Sequence, residues 1–347
     1  MRKLESQKMP NDTNNSSDAC PSSNTGTETD GLSTISKDEL LKQAFKSHKQ
    51  GKISEASRYY QTFIEQGFTD PRVFCNYGSI QQYRGKIEEA ISLYQKAIEL
   101  FPMRSDAYNN IGNLYRHKGK LEEAELFLRK AIELKPNFAE AHTNLGNIFY
   151  DMGKLEEAEA SARRAIELKP LLAVLYSNLG NILNDRNKLA EAKEFLIKAI
   201  KLNPNLADAY NNIGNTFFEL GDFSEAEIYI KKAIEIMPNH LEAHNNLGNI
   251  LKIKGDILKA EISIRRAIDL NPNFAKAHNN LAHILLKSKK FNEGWNEYEW
   301  RWKSESKKYK IGIKLKTNKP EWHPTQNGRV LLWSEQGLGD QILFSSL

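Results

Sequence analysis

The chain has 347 residues, 40% of them hydrophobic and 27% charged, with a mean hydropathy of −0.60. By length it is expected to hold about two domains. Its longest apolar runs, such as Leu171 to Tyr176, fall far short of the ~18–20 residues that span a bilayer. The N-terminal stretch has no apolar core of a secretory signal, and Cys20 and Cys75 are too few for a disulfide framework, so a reducing, cytoplasmic setting is expected. The net charge of +5 is local: residues 303–319 carry seven Lys and one acid, leaving about −1 on the rest, which disfavours a broad nucleic-acid footprint.

Residues 1–36 come first. The stretch 10–35 is rich in Ser, Thr, Asn, Asp and Gly and reads as a disordered tail. A repeat then dominates. Prolines fall at 102, 136, 170, 204, 238 and 272, and glycines at 78, 112, 146, 180, 214 and 248, both with a step of 34. Alanines keep the same step from Ala90 and from Ala97. A fixed period of this length marks a helix–turn–helix repeat, and the pattern resembles the tetratricopeptide repeat (TPR) family. Eight units are read over 37–308, starting at 37, 71, 105, 139, 173, 207, 241 and 275. The first has Phe63 and Phe68 for the Ala and Pro; the last has Ala282, Gly294 and Arg301 for the Gly and the two Ala, as expected of capping units.

In unit 105–138, helix A is predicted from about Asp106 to His117 and helix B from about Leu121 to Leu134. Gly112 and Ala124 let the helices approach, Gly119 makes the turn, and Pro136 stops helix B. Ala107, Ile111, Leu114 and Tyr115 face Leu121, Ala124, Leu128, Ala131 and Ile132. The predicted fold is an all-α, right-handed superhelical solenoid.

A polar stripe is superimposed on this packing code. Position 6 of the units is Asn76, Asn110, Asn144, Asn178, Asn212, Asn246 and Asn280. Position 9 is Ser79, Asn113, Asn147, Asn181, Asn215, Asn249 and His283. Position 2 includes Asp106, Glu140, Asp208 and Glu242, and position 13 includes Asp151, Asp185 and Glu219. Steps of 4, 7 and 11 residues stay within about 40° of the first position on a helix. Asn is a poor mid-helix residue, whereas an amide both donates and accepts, as pairing with a peptide backbone requires. Helices about 8–10 Å apart match roughly three residues of extended chain at ~3.3 Å each. Two roles are open. The amides hold an extended polypeptide, or they bond neighbouring units and set the superhelix. On the first, changing Asn144, Asn178, Asn212 and Asn246 to Ala removes binding and spares the fold; on the second, the reverse.

The NNIGN and NNLGN runs resemble the TPR array of O-linked N-acetylglucosamine transferases. In that family an asparagine ladder lines the concave surface and holds acceptor polypeptide, and acids four residues earlier contact its side chains. The resemblance places the ladder at Asn76 to Asn280 and the acids at Asp106, Glu140, Asp208 and Glu242, while Arg72, Val174 and Lys276 depart from it. It implies a protein or peptide partner in the groove.

His142, His244 and His278 stand at position 4, where other units have Tyr108, Tyr176 and Tyr210, and are read as packing residues rather than metal ligands. No metal or cofactor motif is present, including G-x-x-x-x-G-K-[ST]. All five Trp lie in 295–333, and Trp295, Tyr298 and Trp302 are expected on one face of the last B helix, either plugging the stack or meeting another domain. Residues 309–328 read as a linker. Residues 329–347, RVLLWSEQGLGDQILFSSL, read as strand, glycine loop and helix, the opening of a Rossmann-like fold. They resemble the start of heptosyltransferase-like glycosyltransferase domains, in which an acidic residue after the first strand is proposed as general base; Gly339-Asp340 match that pair. The resemblance implies a catalytic role for Asp340 and a nucleotide-sugar donor only in a longer parent. The chain as given is expected to lack activity of its own.

Overall fold

The computed structural model describes residues 35–303. The tail, the linker and the Rossmann-like stretch with Asp340 lie outside the described residues. The chain divides into two compact units, one ending at Val73 and the other beginning at Phe74. The first holds the hairpin α1 (Lys37–Lys49) and α2 (Ile53–Glu65). Ser36 caps α1 by accepting the Glu39 N–H. Its core is Leu40, Ala44, Ala56, Tyr60 and Phe63; Phe63, in the usual alanine place, packs against Phe68 at 5.4 Å.

The second unit is a run of helix pairs, with α3 (Pro71–Tyr83) straddling the boundary. It continues with α4 (Ile87–Leu100), α5 (Ser105–His117), α6 (Leu121–Leu134), α7 (Ala139–Asp151), α8 (Leu155–Leu168), α9 (Ala173–Asp185) and α10 (Leu189–Leu202). Then follow α11 (Ala207–Glu219), α12 (Phe223–Ile236), α13 (Leu241–Ile253), α14 (Ile257–Leu270), α15 (Ala275–Lys287) and α16 (Phe291–Tyr298). No strand occurs among the described residues. The last B helix is shorter than expected. After Tyr298 the backbone tightens into a 3-10 turn, Glu299–Lys303, so Trp302 does not share a face of α16. Trp300 instead stacks on His278, with ring centroids 3.9 Å apart, while Trp295 stays exposed.

The small residues do what the period predicts. A Cβ on Gly112 would stand 2.7 Å from Leu128 Cγ and 3.2 Å from the Ala124 carbonyl. Gly119 adopts φ +72°, as do the other inter-helix glycines near that value; Asn187 and Lys289 take the same left-handed conformation at equivalent turns. Buried side chains form one continuous core from Ala124 to Ile250, because each B helix packs on the A helix of its own pair and on that of the next.

One joint is looser. Position 24 is Leu128, Leu196, Ile230 and Ile264 in the other inner units and Tyr in units 37–70, 71–104 and 275–308, but Ala162 in α8. The backbones are only 0.1–0.2 Å farther apart there: a Cβ on Gly146 would lie 3.3 Å from the Ala158 carbonyl, against 3.1–3.2 Å for the equivalents in α6, α12 and α14. The missing side chain leaves a cavity of about 10 Å³ bordered by Gly146, Ala162, Leu175, Asn178 and Ile182. Ala162→Leu should therefore raise the melting temperature by a few degrees, on the order of 1 kcal/mol. An unchanged or lower midpoint in thermal unfolding would show that the helices cannot take the larger side chain.

Charges fasten successive pairs on the B-helix side, a feature the period did not reveal. Glu125 meets Arg129 (2.8 Å) on its own helix and Lys154 (3.3 Å) of the next pair. Glu227 meets Lys231 and Lys254, both at 2.6 Å, and Glu261 meets Arg265 (2.9 Å) and Lys290 (3.0 Å). Glu159 is the most heavily engaged, with Arg163 (2.8 Å), Lys188 (3.0 Å) and Arg186. Its side chain is only 8% exposed. Burial opposes its charge, but the three cations outweigh burial and hold its carboxyl down at about 2.

Candidate functional site

The A helices α5, α7, α9, α11, α13 and α15 carry the polar stripe. Every position-6 Asn on them is half-buried, and their amides are largely committed to the protein itself. Asn280 Nδ2 donates to Asn245 Oδ1 (2.8 Å), and Asn245 Nδ2 donates to Asn246 Oδ1 (3.3 Å). Asn246 Nδ2 donates to Asn211 Oδ1 (2.9 Å), Asn211 Nδ2 to Asn212 Oδ1 (3.3 Å), and Asn212 Nδ2 to Ser177 Oγ (3.2 Å). The result is an unbroken relay of amides from α15 to α9. A shorter relay links Asn144 Nδ2 to Asn109 Oδ1 (3.0 Å) and Asn109 Nδ2 to Asn110 Oδ1 (3.3 Å).

The partners at position 5 (Asn109, Ser177, Asn211 and Asn245) are buried and were not singled out from sequence. The doublets Asn109-Asn110, Asn211-Asn212 and Asn245-Asn246 were the available signal. Where position 5 is Thr143, its hydroxyl donates to the Ala139 carbonyl of its own helix, and Asn178 makes no side-chain hydrogen bond among the described residues. That break coincides with the cavity beside Ala162.

Position 9 behaves differently. Asn113, Asn147, Asn181, Asn215 and Asn249 are half-buried, yet none makes a side-chain hydrogen bond among the described residues. Asn249 Oδ1 is shut off from solvent and unmet, a costly state for an amide oxygen unless something donates to it. The ends of the row differ: Ser79 Oγ donates to the Cys75 carbonyl (3.0 Å), and His283 sits edge-on to Tyr298.

Most of the stripe's acids are neutralised in place. Asp106 pairs with Arg104 and Glu140 with Lys169. Hydrogen bonding to Lys169 holds the Glu140 carboxyl below the usual range, and bonding to His240 (3.2 Å) does the same for Asp208. Asp151 pairs with Arg116 (2.6 Å), and Asp185 accepts the Tyr150 hydroxyl (2.6 Å). Glu242 is exposed, 3.5 Å from His240 Nδ1.

The position-4 histidines substitute for tyrosine for a definite reason. Nε2 of His142, His244 and His278 each donates to the carbonyl of the proline six residues earlier, at 2.9 Å, just as the Tyr176 hydroxyl does to Pro170. No group of side chains able to hold a metal ion occurs among the described residues. Cys75 is buried, which pushes its thiol up to about 12, so it is no nucleophile at neutral pH.

A stack of helix pairs with small residues at the crossings and a polar row along the A helices defines a TPR-type repeat protein. A family model described as the cilia and flagella-associated protein 70 C-terminal domain matches residues 36–278, and the chain belongs to that family. A tetratricopeptide-repeat model also matches residues 264–295. No curated protein matches the chain. Among solved structures it is similar to a chain of the APC/C hetero-tetramer Cut9-Hcn1, with 18% identity, TM-score 0.59, and 78% of this chain covered. It spans 54% of that chain. It is also similar to a tetratricopeptide repeat protein from Parabacteroides merdae, with 18% identity and TM-score 0.59, covering 74% of this chain and 100% of the other. At this identity both likenesses speak for the fold alone.

Proposed function

We propose that the chain is a protein-binding TPR scaffold whose A-helix stripe holds an extended polypeptide, with the position-9 amides as its principal contacts. One observation carries this reading: Asn113, Asn147, Asn181, Asn215 and Asn249 recur once per unit, half-exposed, with no side-chain hydrogen bond among the described residues. Each of the first four amides can accept one bond from a peptide N–H and donate one to a carbonyl, while Asn249, whose Oδ1 is closed to solvent, offers its N–H. The position-6 amides, with one N–H and one lone pair left over, and the acids Asp106, Glu140, Asp208 and Glu242 would add secondary contacts. A net hydrogen bond contributes ~0.5–1.5 kcal/mol, so several offset the cost of ordering a flexible segment and leave a micromolar interaction, near about −8 kcal/mol.

The test is the quadruple change of Asn147, Asn181, Asn215 and Asn249 to Ala, with binding measured against an immobilised random dodecapeptide library. Captured peptides should weaken by roughly 100-fold or more. The melting temperature should hold or rise, because no internal bond is lost and Ala is the better helix former. Unchanged binding by the folded variant would remove this reading. The stretch around Gly339-Asp340 supports a second one, in which the array is the acceptor-recognition half of a glycosyltransferase. Its test is sugar transfer from a nucleotide-sugar by a chain extended beyond Leu347, lost in Asp340→Asn.

A further inference from the structure

From α5 to α15 each A helix packs directly against the next, except that α7 and α9 barely meet. Other features of that joint are also its own. Ala162 leaves unfilled the space that Leu128, Leu196, Ile230 or Ile264 takes in other units, and the resulting cavity lies between α7, α8 and α9. Thr143 turns its hydroxyl back to the Ala139 carbonyl, so Asn178 finds no acceptor and the amide relay stops. Charge takes over instead. On the B-helix side Arg186 pairs with Glu156 (2.8 Å) and Glu159, Lys188 with Glu159 (3.0 Å), and Arg163 with Glu191. At the corresponding joints of α6 and α12 a lysine meets a glutamate on that side, Lys154 with Glu125 and Lys254 with Glu227. On the A-helix side the Tyr150 hydroxyl reaches across to Asp185 (2.6 Å). Glu159 is enclosed, but Glu156, Glu191, Arg163 and Lys188 are open to solvent, where dissolved ions screen a pair.

We propose that the joint between the α7–α8 and α9–α10 pairs is a hinge held shut by charge, so that the bend of the array at this point follows ionic strength. At the other joints from α5 to α15 the apolar side chain at position 24 and a side-chain hydrogen bond between A helices fix the angle, and neither carries a net charge for salt to screen. Here both are missing, and the angle is set by long side chains in ion pairs beside an unfilled gap. Screening the outer pairs lets α9–α10 rotate on α7–α8, and the Ala162 cavity gives room for the motion. The hinge falls between Asn147 and Asn181, so its opening changes the step of the position-9 row between its two halves.

The experiment measures distances between nitroxide labels on the full chain by double electron–electron resonance, in a Cys20→Ser background that keeps the buried Cys75. Labels at Glu133→Cys and Lys201→Cys span the hinge and the joint before it; labels at Lys201→Cys and Asp269→Cys span the two joints that follow, and all three sites are exposed and equivalent in the repeat. A rotation of about 10° moves a label two pairs away, at about 18 Å, by about 3 Å. Raising salt from about 50 to about 500 mM should shift the first distance by about that amount and roughly double the width of its distribution, while the second stays as it was. Glu159→Gln should show the wide distribution already at low salt. Ala162→Leu, which fills the gap, should narrow the first distribution and remove its response to salt. Thr143→Asn should do the same by giving Asn178 the acceptor that Asn109, Asn211 and Asn245 supply elsewhere, and it decides alone if Ala162→Leu does not fold. An equal response of the two label pairs overturns the hinge in favour of uniform bending. No response in either overturns it in favour of a rigid stack. A salt response that survives Thr143→Asn and Ala162→Leu shows that the missing contacts are not its source and overturns it as well.

Discussion

Changing Asn144, Asn212, Asn246 and Asn280 together to Ala should lower the melting temperature by about 10 °C. Each donates across a joint, to Asn109, Ser177, Asn211 and Asn245 respectively. Removing the donor leaves a buried acceptor unmet, at about 1–3 kcal/mol per site. Helix propensity returns at most about 0.7 kcal/mol per Asn→Ala change. The net loss is about 4 kcal/mol, and a domain of this size loses about 2–4 °C per kcal/mol. Because a repeat array is stabilised pair by pair, the loss should concentrate at the joints from α9 to α15 and broaden the transition there. Hydrogen exchange should show those helices opening first, together with α5 and α7, which lose the Asn144–Asn109 bond, while α1 and α2 retain protection. The matching position-9 variant should show no such loss. If the position-6 variant melts like the unmodified protein, the relay contributes nothing and the amides are free for other work.

Acid should unfold the array through Glu159. Its carboxyl titrates at about 2 in the folded chain against 4.5 when unperturbed. A depressed folded value means that the unfolded chain binds the proton more readily. The contribution is therefore fully present above about pH 5 and is lost progressively as pH falls from there towards 2. The difference corresponds to about 3 kcal/mol, since one unit is worth 1.36 kcal/mol. Glu159→Gln should remove that amount at neutral pH, lowering the melting temperature by several degrees. It should also flatten the dependence of stability on pH between about 5 and 2. Arg186 keeps Glu156 (2.8 Å) and Arg163 keeps Glu191, so the change does not strand either guanidinium. A variant whose acid unfolding parallels that of the parent would show that the three cations compensate for one another without Glu159.

Much of the fold was legible in the 34-residue period. Gly112, Ala124 and Pro136 are local consequences of packing one helix on its neighbour and then stopping it, so helix bounds such as Leu121–Leu134 followed from sequence alone. The polar stripe was legible too, because residues 4, 7 and 11 apart share a helix face whatever surrounds them. The stripe's division of labour was not. Position 6 and position 9 look alike in sequence, and both are mostly Asn. Only the rotation and offset between successive A helices bring position 6 of one within reach of position 5 of the previous one, which occupies the first row and leaves the second open. The same holds for the Lys188–Glu159 and Lys290–Glu261 contacts, 29 residues apart, and for Trp300, carried onto His278 by a backbone that leaves the α-helix after Tyr298. Periodicity reports what one unit does with itself. Which polar group meets a partner within the protein and which does not is settled between units, by a packing geometry that no single unit encodes.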